Sequence, residues 1–359
     1  MTEVPIMEPL DDLLHAVNDG HGYPTLAAAV ASSSGITGAG TTGVRKAGGH
    51  DSVTVEDRFH VGSITKPMTA TLLATLVEEG RLRWDAAPTD VLPEFAAALH
   101  PALRSVRLEH LLAHRAGIAA FTDDDEMVPV PSFDGSPRDQ RLAFAGWLLL
   151  QEPSATPISD FLYSNAGYAI ATAMAERAAN ESWEDLMRAC LFTPLSLESA
   201  GFGWPALLSL DQPWGHYKRG PVLEPQEPDG PYQLGPLLAP AGDVHMTVSD
   251  LAEFGRVHLR GLAGEDTLLR AITVRRMHTS LGTAPGGGYG LGWSITESSH
   301  NHTGSGGTFI ALLLLRSEQD RVYAVAANVA ASQTMEASED DAGLLTSLVT
   351  TLIQRFEGE

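Results

Sequence analysis

Cysteine is almost absent from this chain: 359 residues contain only Cys190. A lone thiol forms no internal disulfide and furnishes no multi-cysteine metal site. Its place in a helical-looking run from Trp183 to Leu191 reads as structural rather than nucleophilic. Positive charge is also scarce, with 23 Lys and Arg against 45 Asp and Glu and a net charge of −22. That balance argues against nucleic acid and anionic membrane surfaces as partners, because their phosphates would be repelled. The longest apolar run, Phe309 to Leu315, stops at Arg316 and is too short to insert across a bilayer. No serine stands in a Gly-x-Ser-x-Gly elbow, which argues against an α/β-hydrolase triad. Met1 to Glu8 carry neither a basic nor an apolar stretch, so no secretory leader is read and a cytoplasmic location is expected.

What remains is an ordinary globular composition, 43% hydrophobic and 19% charged, on a chain long enough for one large domain or two lobes. Residues 25–47 read as two short strands, Thr25 to Ser32 and Ile36 to Lys46, broken by Ser33-Ser34-Gly35. A helix follows in which Met68, Leu72, Leu73, Leu76 and Val77 recur at helical spacing until Gly80 closes it. Between 85 and 235 the strand signal fades into short helical patches: Leu108 to His114, Arg138 to Leu150, Ala166 to Ala178 and Trp183 to Leu191. Strand character returns in Gly290 to Thr296, Thr308 to Leu315 and Val322 to Val329, before a final helix from Ala342 to Phe356. The pattern implies an α+β protein. Residues 1–84 and 236–359 are expected to form a sheet domain built from both termini, and residues 85–235 a mainly helical insertion.

Chemistry concentrates at three places. Ser63-Ile64-Thr65-Lys66 puts a hydroxyl and an amine at i and i+3 on one helix face, where the two can meet. A serine hydroxyl is a weak nucleophile until a neighbour removes its proton, and a desolvated lysine is one group that can. Pro67 falls within the first turn, where its missing N–H costs nothing, so Ser63 is placed at a helix N-terminus. Tyr163-Ser164-Asn165 precedes another helix, and in an extended segment residues two apart share a face. A phenol beside a lysine ammonium would lose its proton more readily, which makes Tyr163 a second candidate base. His302-Thr303-Gly304-Ser305-Gly306-Gly307 opens the strongest late strand, with small residues that let a substrate backbone approach.

In that order the three motifs resemble those of the penicillin-recognising serine hydrolases, closest to class C β-lactamases, D-alanyl-D-alanine carboxypeptidases and related esterases. Further segments resemble the family as well: Phe59-His60-Val61-Gly62, Val77 to Leu82, Leu108 to Gly117, Pro194-Leu195, Ala241-Gly242-Asp243 with Ser249-Asp250-Leu251, and Gly288 to Trp293. The resemblance implies a β-lactamase-like fold: a central antiparallel sheet flanked by helices, with the active site in the cleft beside the helical insertion. It also implies an acyl-enzyme on Ser63, with Lys66 and Tyr163 sharing the base role and Asn165 bonding Lys66 and substrate. Backbone N–H groups of Ser63 and Ser305 would form the oxyanion hole, and His302, Thr303, Gly304 and Ser305 would line the substrate side. The implied partner is a small ester, amide or β-lactam, with no cofactor or metal. Acyl transfer and non-catalytic sensing are the alternative uses of such a fold.

One departure bears on the substrate. His302 stands where most such β-lactamases carry lysine, and an unperturbed histidine titrates near pH 6.5, so carboxylate recognition is expected to weaken at neutral pH. Other motifs read as structure. His110 and His114 lack the glutamate of a zinc-protease helix, residue 111 being leucine. Asp123 to Glu126 lacks the spacing of a calcium loop. Trp214 to Tyr217, Tyr232 and Trp293 are candidates for either the pocket or the core.

Overall fold

In the strand Thr25–Ser32 all eight residues are buried, and they divide between two cores. Ala27, Ala29 and Ala31 belong to one apolar cluster; Leu26, Ala28 and Val30 belong to another. Successive side chains of a strand point to opposite faces, so this strand runs through the middle of a sheet covered on both sides. The computed structural model describes residues 7–122, 127, 129–219, 222–230, 234–331 and 335–358.

The sheet contains β1 (Glu8–Pro9), β2 (Thr25–Ser32), β3 (Gly35–Gly43), β4 (Thr283–Ala284), β5 (Gly287–Tyr289), β6 (Ser294–Ile295), β7 (His300–Ser305), β8 (Ile310–Arg316) and β9 (Arg321–Ala327). Their order is β1-β3-β2-β9-β8-β7-β6-β5-β4. Every adjacent pair is antiparallel except β1 with β3 at one edge. This is the antiparallel central sheet of a β-lactamase-like α+β fold.

The helices that matter for the site are α1 (Asp11–Asn18), α2 (Thr65–Glu78), α3 (Leu108–Leu112), α4 (Pro137–Leu149), α5 (Asn165–Ala179), α6 (Val248–Ala263) and α7 (Met335–Glu357). Leu10 and Leu14 at α1 and Leu344, Leu345, Leu348 and Leu352 of α7 cover one face of the sheet. Leu251, Ala252, Phe254 and Leu259 of α6 cover the other, in a core that continues into α2, α4 and α5. No helix among the described residues is long and apolar enough to cross a membrane.

Several elements differ in extent from the sequence expectation, for local reasons. The second strand ends at Gly43 rather than Lys46, because the chain turns there at φ +101. The helix from Leu108 stops at Leu112, since His114 takes φ +58. The helix from Trp183 is α-helical only to Met187 and continues as a π turn to Phe192. Regular pairing between 290 and 296 is confined to Ser294 and Ile295.

Helix α2 is buried on every side from Thr65 to Leu76. A helix hydrophobic all round belongs inside a protein, and its four threonines would carry a penalty there unless bonded. Thr69 Oγ1 donates to the Pro240 carbonyl at 2.8 Å, Thr71 Oγ1 to Pro67 at 2.7 Å and Thr75 Oγ1 to Leu72 at 2.7 Å. Thr65 Oγ1 accepts from the Val244 N–H at 3.1 Å. The helix that presents Ser63 and Lys66 is thereby anchored on the segment around residues 239–244.

Candidate active site

The turn carrying Ser63 depends on Gly62. Its φ is +51, and a Cβ on it would stand 2.6 Å from the Ser305 nitrogen. Gly304 meets the turn from β7, where a Cβ would stand 1.9 Å from the Val61 oxygen and 2.9 Å from the Ser63 nitrogen. The turn and the strand therefore touch main chain to main chain. Strand β7 pairs with β8 from His300 to Ser305, but with β6 only at His300 and Asn301. Beyond Asn301 this edge of β7 faces the Ser63 turn instead of another strand. Thr303 and Ser305 are exposed on β7 while His302 and Gly304 are buried.

Lys66 is fully buried. Its Nζ lies 2.9 Å from Ser63 Oγ and 2.8 Å from the Ala241 carbonyl. Burial holds the amine well below the ordinary lysine range. The Tyr163 ring centroid is 4.7 Å from Nζ. Burial pushes the phenol above its ordinary value, opposed only by its hydrogen bond with Ser63. The sequence-based expectation of a readily ionised Tyr163 meets an opposing effect: burial disfavours both the phenolate and the lysine ammonium that would have stabilised it.

Asn165 begins α5, with Ser164 as its cap: Ser164 Oγ accepts from the Gly167 N–H at 2.9 Å. Asn165 Nδ2 donates to the Phe121 carbonyl at 2.7 Å, and among the described residues Lys66 Nζ bonds Ser63 Oγ and the Ala241 carbonyl rather than Asn165. His302 is buried, with Nδ1 2.7 Å from the Thr303 carbonyl and Nε2 2.9 Å from the Tyr289 hydroxyl. A carbonyl only accepts, so Nδ1 carries the hydrogen and Nε2 accepts from Tyr289. Burial pushes His302 down to about 3, so it does not titrate near 6.5.

A family model described as Beta-lactamase matches residues 10–347. The chain belongs to the beta-lactamase family. As a member of it, the chain is a serine hydrolase. It is 30% identical over 333 residues to "Penicillin-binding protein 4" of Amycolatopsis lactamdurans, covering 89% of this chain and 81% of the relative. The structure of an octameric penicillin-binding protein homologue from Pyrococcus abyssi aligns with TM-score 0.73 and 23% identity, over 89% of this chain and 72% of that one. EstCE1, described as a hydrolase with promiscuous acyltransferase activity, aligns with TM-score 0.72 and 17% identity over 90% of this chain and 92% of that one. At these identities the two structures show the fold alone.

This beta-lactamase-family chain has partners around its motifs that the sequence did not reveal. Tyr289 and the Ala241 carbonyl lie in segments whose resemblance was visible, but their contacts span 13 and 175 residues and have no local signature. His114 Nδ1 accepts from the Ser164 N–H at 3.0 Å, and its ring stands 4.2 Å from that of Tyr163. His110 Nδ1 accepts from the Arg107 N–H at 3.0 Å, so each of these histidines serves the backbone. Trp293 is core, stacked 6.1 Å from Phe254, and Lys46 Nζ covers the Trp214 ring at 3.3 Å. Burial pushes the Cys190 thiol up, away from thiolate character. Tyr232 and Asp123 to Glu126 lie outside the described residues.

Proposed function

We propose that the chain hydrolyses uncharged acyl esters and small amides through an acyl-enzyme on Ser63. The observation that carries this reading is the buried Lys66 amine 2.9 Å from Ser63 Oγ, held by burial well below the ordinary lysine range and with no carboxylate partner among the described residues. One N–H is given to Ala241, and the lone pair is available for the Ser63 proton. Oγ then attacks the carbonyl carbon. The resulting oxyanion accepts from the backbone N–H groups of Ser63 and Ser305, each such donor typically worth roughly 3 kcal/mol. Tyr163, protonated in its buried setting, hands a proton to the departing alcohol or amine and regains one from the Lys66 ammonium. Water then attacks the ester on Ser63 with the same groups in reverse roles. Asn165, Thr303 and Ser305 border the acyl group.

His302 supports the uncharged substrate. It is neutral and both ring nitrogens are engaged, so it offers no cation to a penicillin or peptide carboxylate. The test combines fluorophosphonate labelling read by mass spectrometry with a substrate panel: p-nitrophenyl butyrate, nitrocefin and a D-alanyl-D-alanine peptide. The expected result is a label on Ser63, butyrate turnover abolished by Ser63→Ala, and negligible turnover of the two carboxylates. An unlabelled Ser63 in folded protein refutes the acyl-enzyme, and nitrocefin turnover matching the ester refutes the substrate class. An added alcohol acceptor separates acyl transfer from hydrolysis.

A further inference from the structure

We infer that His60, braced by Asp243, is a positioning residue that sets the spacing between the two backbone donors of the oxyanion hole; this rests on the acyl-enzyme reading above. Both residues fall in segments singled out from the sequence, yet neither receives a role there. His60 lies in a two-residue strand paired with Val244–Met246 and is buried. The Gly62 N–H donates to His60 Nδ1 at 3.3 Å. An imidazole nitrogen that accepts carries no hydrogen, so Nε2 holds it and donates to Asp243 Oδ1 at 3.4 Å. The same Nδ1 lies against Gly306, where a Cβ would stand only 2.2 Å away.

One ring therefore touches the residue before Ser63 and the residue after Ser305. Those are the neighbours of the two proposed donors. Behind the ring, Asp243 directly follows the short helix Ala239–Gly242, whose Ala241 carbonyl holds Lys66. The imidazole acts as a spacer between the nucleophile turn and β7, and Asp243 sets its tautomer and depth. A serine enzyme needs this spacing held to a fraction of an ångström, because the donors must fit the oxyanion rather than the ground-state carbonyl.

Two amide substitutions separate the ring's two contacts. In His60→Asn the side-chain oxygen falls at the Nδ1 position and still accepts from Gly62. In His60→Gln the amide reaches toward Asp243 and leaves the Gly62 N–H without its acceptor. His60→Gln is expected to lower kcat for p-nitrophenyl butyrate by about 10- to 100-fold with KM nearly unchanged. Fluorophosphonate acylation of Ser63 should slow in parallel, while His60→Asn keeps about a third or more of kcat. Urea denaturation confirms that each variant is folded. If His60→Gln does not fold, Asp243→Ala decides, with an expected loss of about 3- to 10-fold in kcat. Wild-type kcat in the deciding variant overturns the inference, as do a loss confined to KM and a His60→Asn as impaired as His60→Gln. Failure of the wild-type protein to label at Ser63 instead overturns the acyl-enzyme reading beneath it.

Discussion

Replacing Lys66 with methionine tests whether the buried amine is neutral in the native protein. Lysine in an unfolded chain keeps its proton to about pH 10.4. In the fold, burial lowers that value well below the ordinary range, with Ser63 Oγ and the Ala241 carbonyl as its hydrogen-bond partners among the described residues. Between the two values the unfolded state binds the extra proton, so native stability rises with pH, at most by about 1.4 kcal/mol per pH unit for one group. Below the native value the term is a constant penalty, and above about pH 10.4 it disappears. Methionine fills similar space without titrating. It leaves the Ala241 carbonyl without its donor, at a cost of about 1–3 kcal/mol. Lys66→Met is therefore expected to gain stability relative to wild type at pH 7 and lose that advantage progressively toward pH 10. Urea denaturation of both proteins at pH 7, 8, 9 and 10 measures the difference. A difference that stays flat across this range would show a charged Lys66 and refute the mechanism's first step. Ester turnover in the variant should fall by about 100-fold or more, the usual cost of losing a general base.

Gly304→Ala should cut ester kcat by about 100-fold, because its Cβ would stand 1.9 Å from the Val61 oxygen and part the turn from β7. The accompanying stability loss, read in urea, should be about 1–3 kcal/mol, and unchanged kcat would contradict the main-chain contact. Arg141 is fully buried between Glu176, at 2.6 Å, and Glu184, at 2.8 Å. Arg141→Met should destabilise by about 3–5 kcal/mol, since Glu176 is left buried without its cation; a loss under about 1 kcal/mol would show that pair to be dispensable. Burial holds His302 at about 3, so wild type and His302→Gln should share one pH–rate profile between pH 5.5 and 8. A limb near pH 6.5 that vanishes in His302→Gln would show that His302 titrates.

The strands and helices with strong periodicity are legible in the sequence. Thr25 to Ser32 was read with its observed bounds, and α2 and α5 close to theirs. Short strands such as Phe59–His60, Gly201–Phe202 and Val244–Met246 carry no alternation to read, so the small sheet that supports the Ser63 turn was invisible. The candidate site residues could be named from the sequence because their types and order form motifs. Their protonation was not legible, because it follows from burial rather than from sequence neighbours. Tyr163 next to a charged lysine and Tyr163 next to a desolvated one have the same sequence, and only the packing of Lys66 tells them apart. Asn165 was misassigned a partner for a related reason: the Phe121 carbonyl comes from a loop 44 residues away.

The two-residue period of β7 has a consequence for how this enzyme can change. His302 and Gly304 point inward, toward Tyr289 and the nucleophile turn, while Thr303 and Ser305 stand exposed. On the proposed mechanism, machinery and selectivity alternate along a single strand. Because the donors proposed for the oxyanion are main-chain groups, no side-chain replacement at 303 or 305 removes them. Saturating those two positions should generate altered substrate preferences at little cost in turnover, whereas Gly304 between them tolerates almost nothing. The strand works as a fixed rail on which the recognition surface can be exchanged.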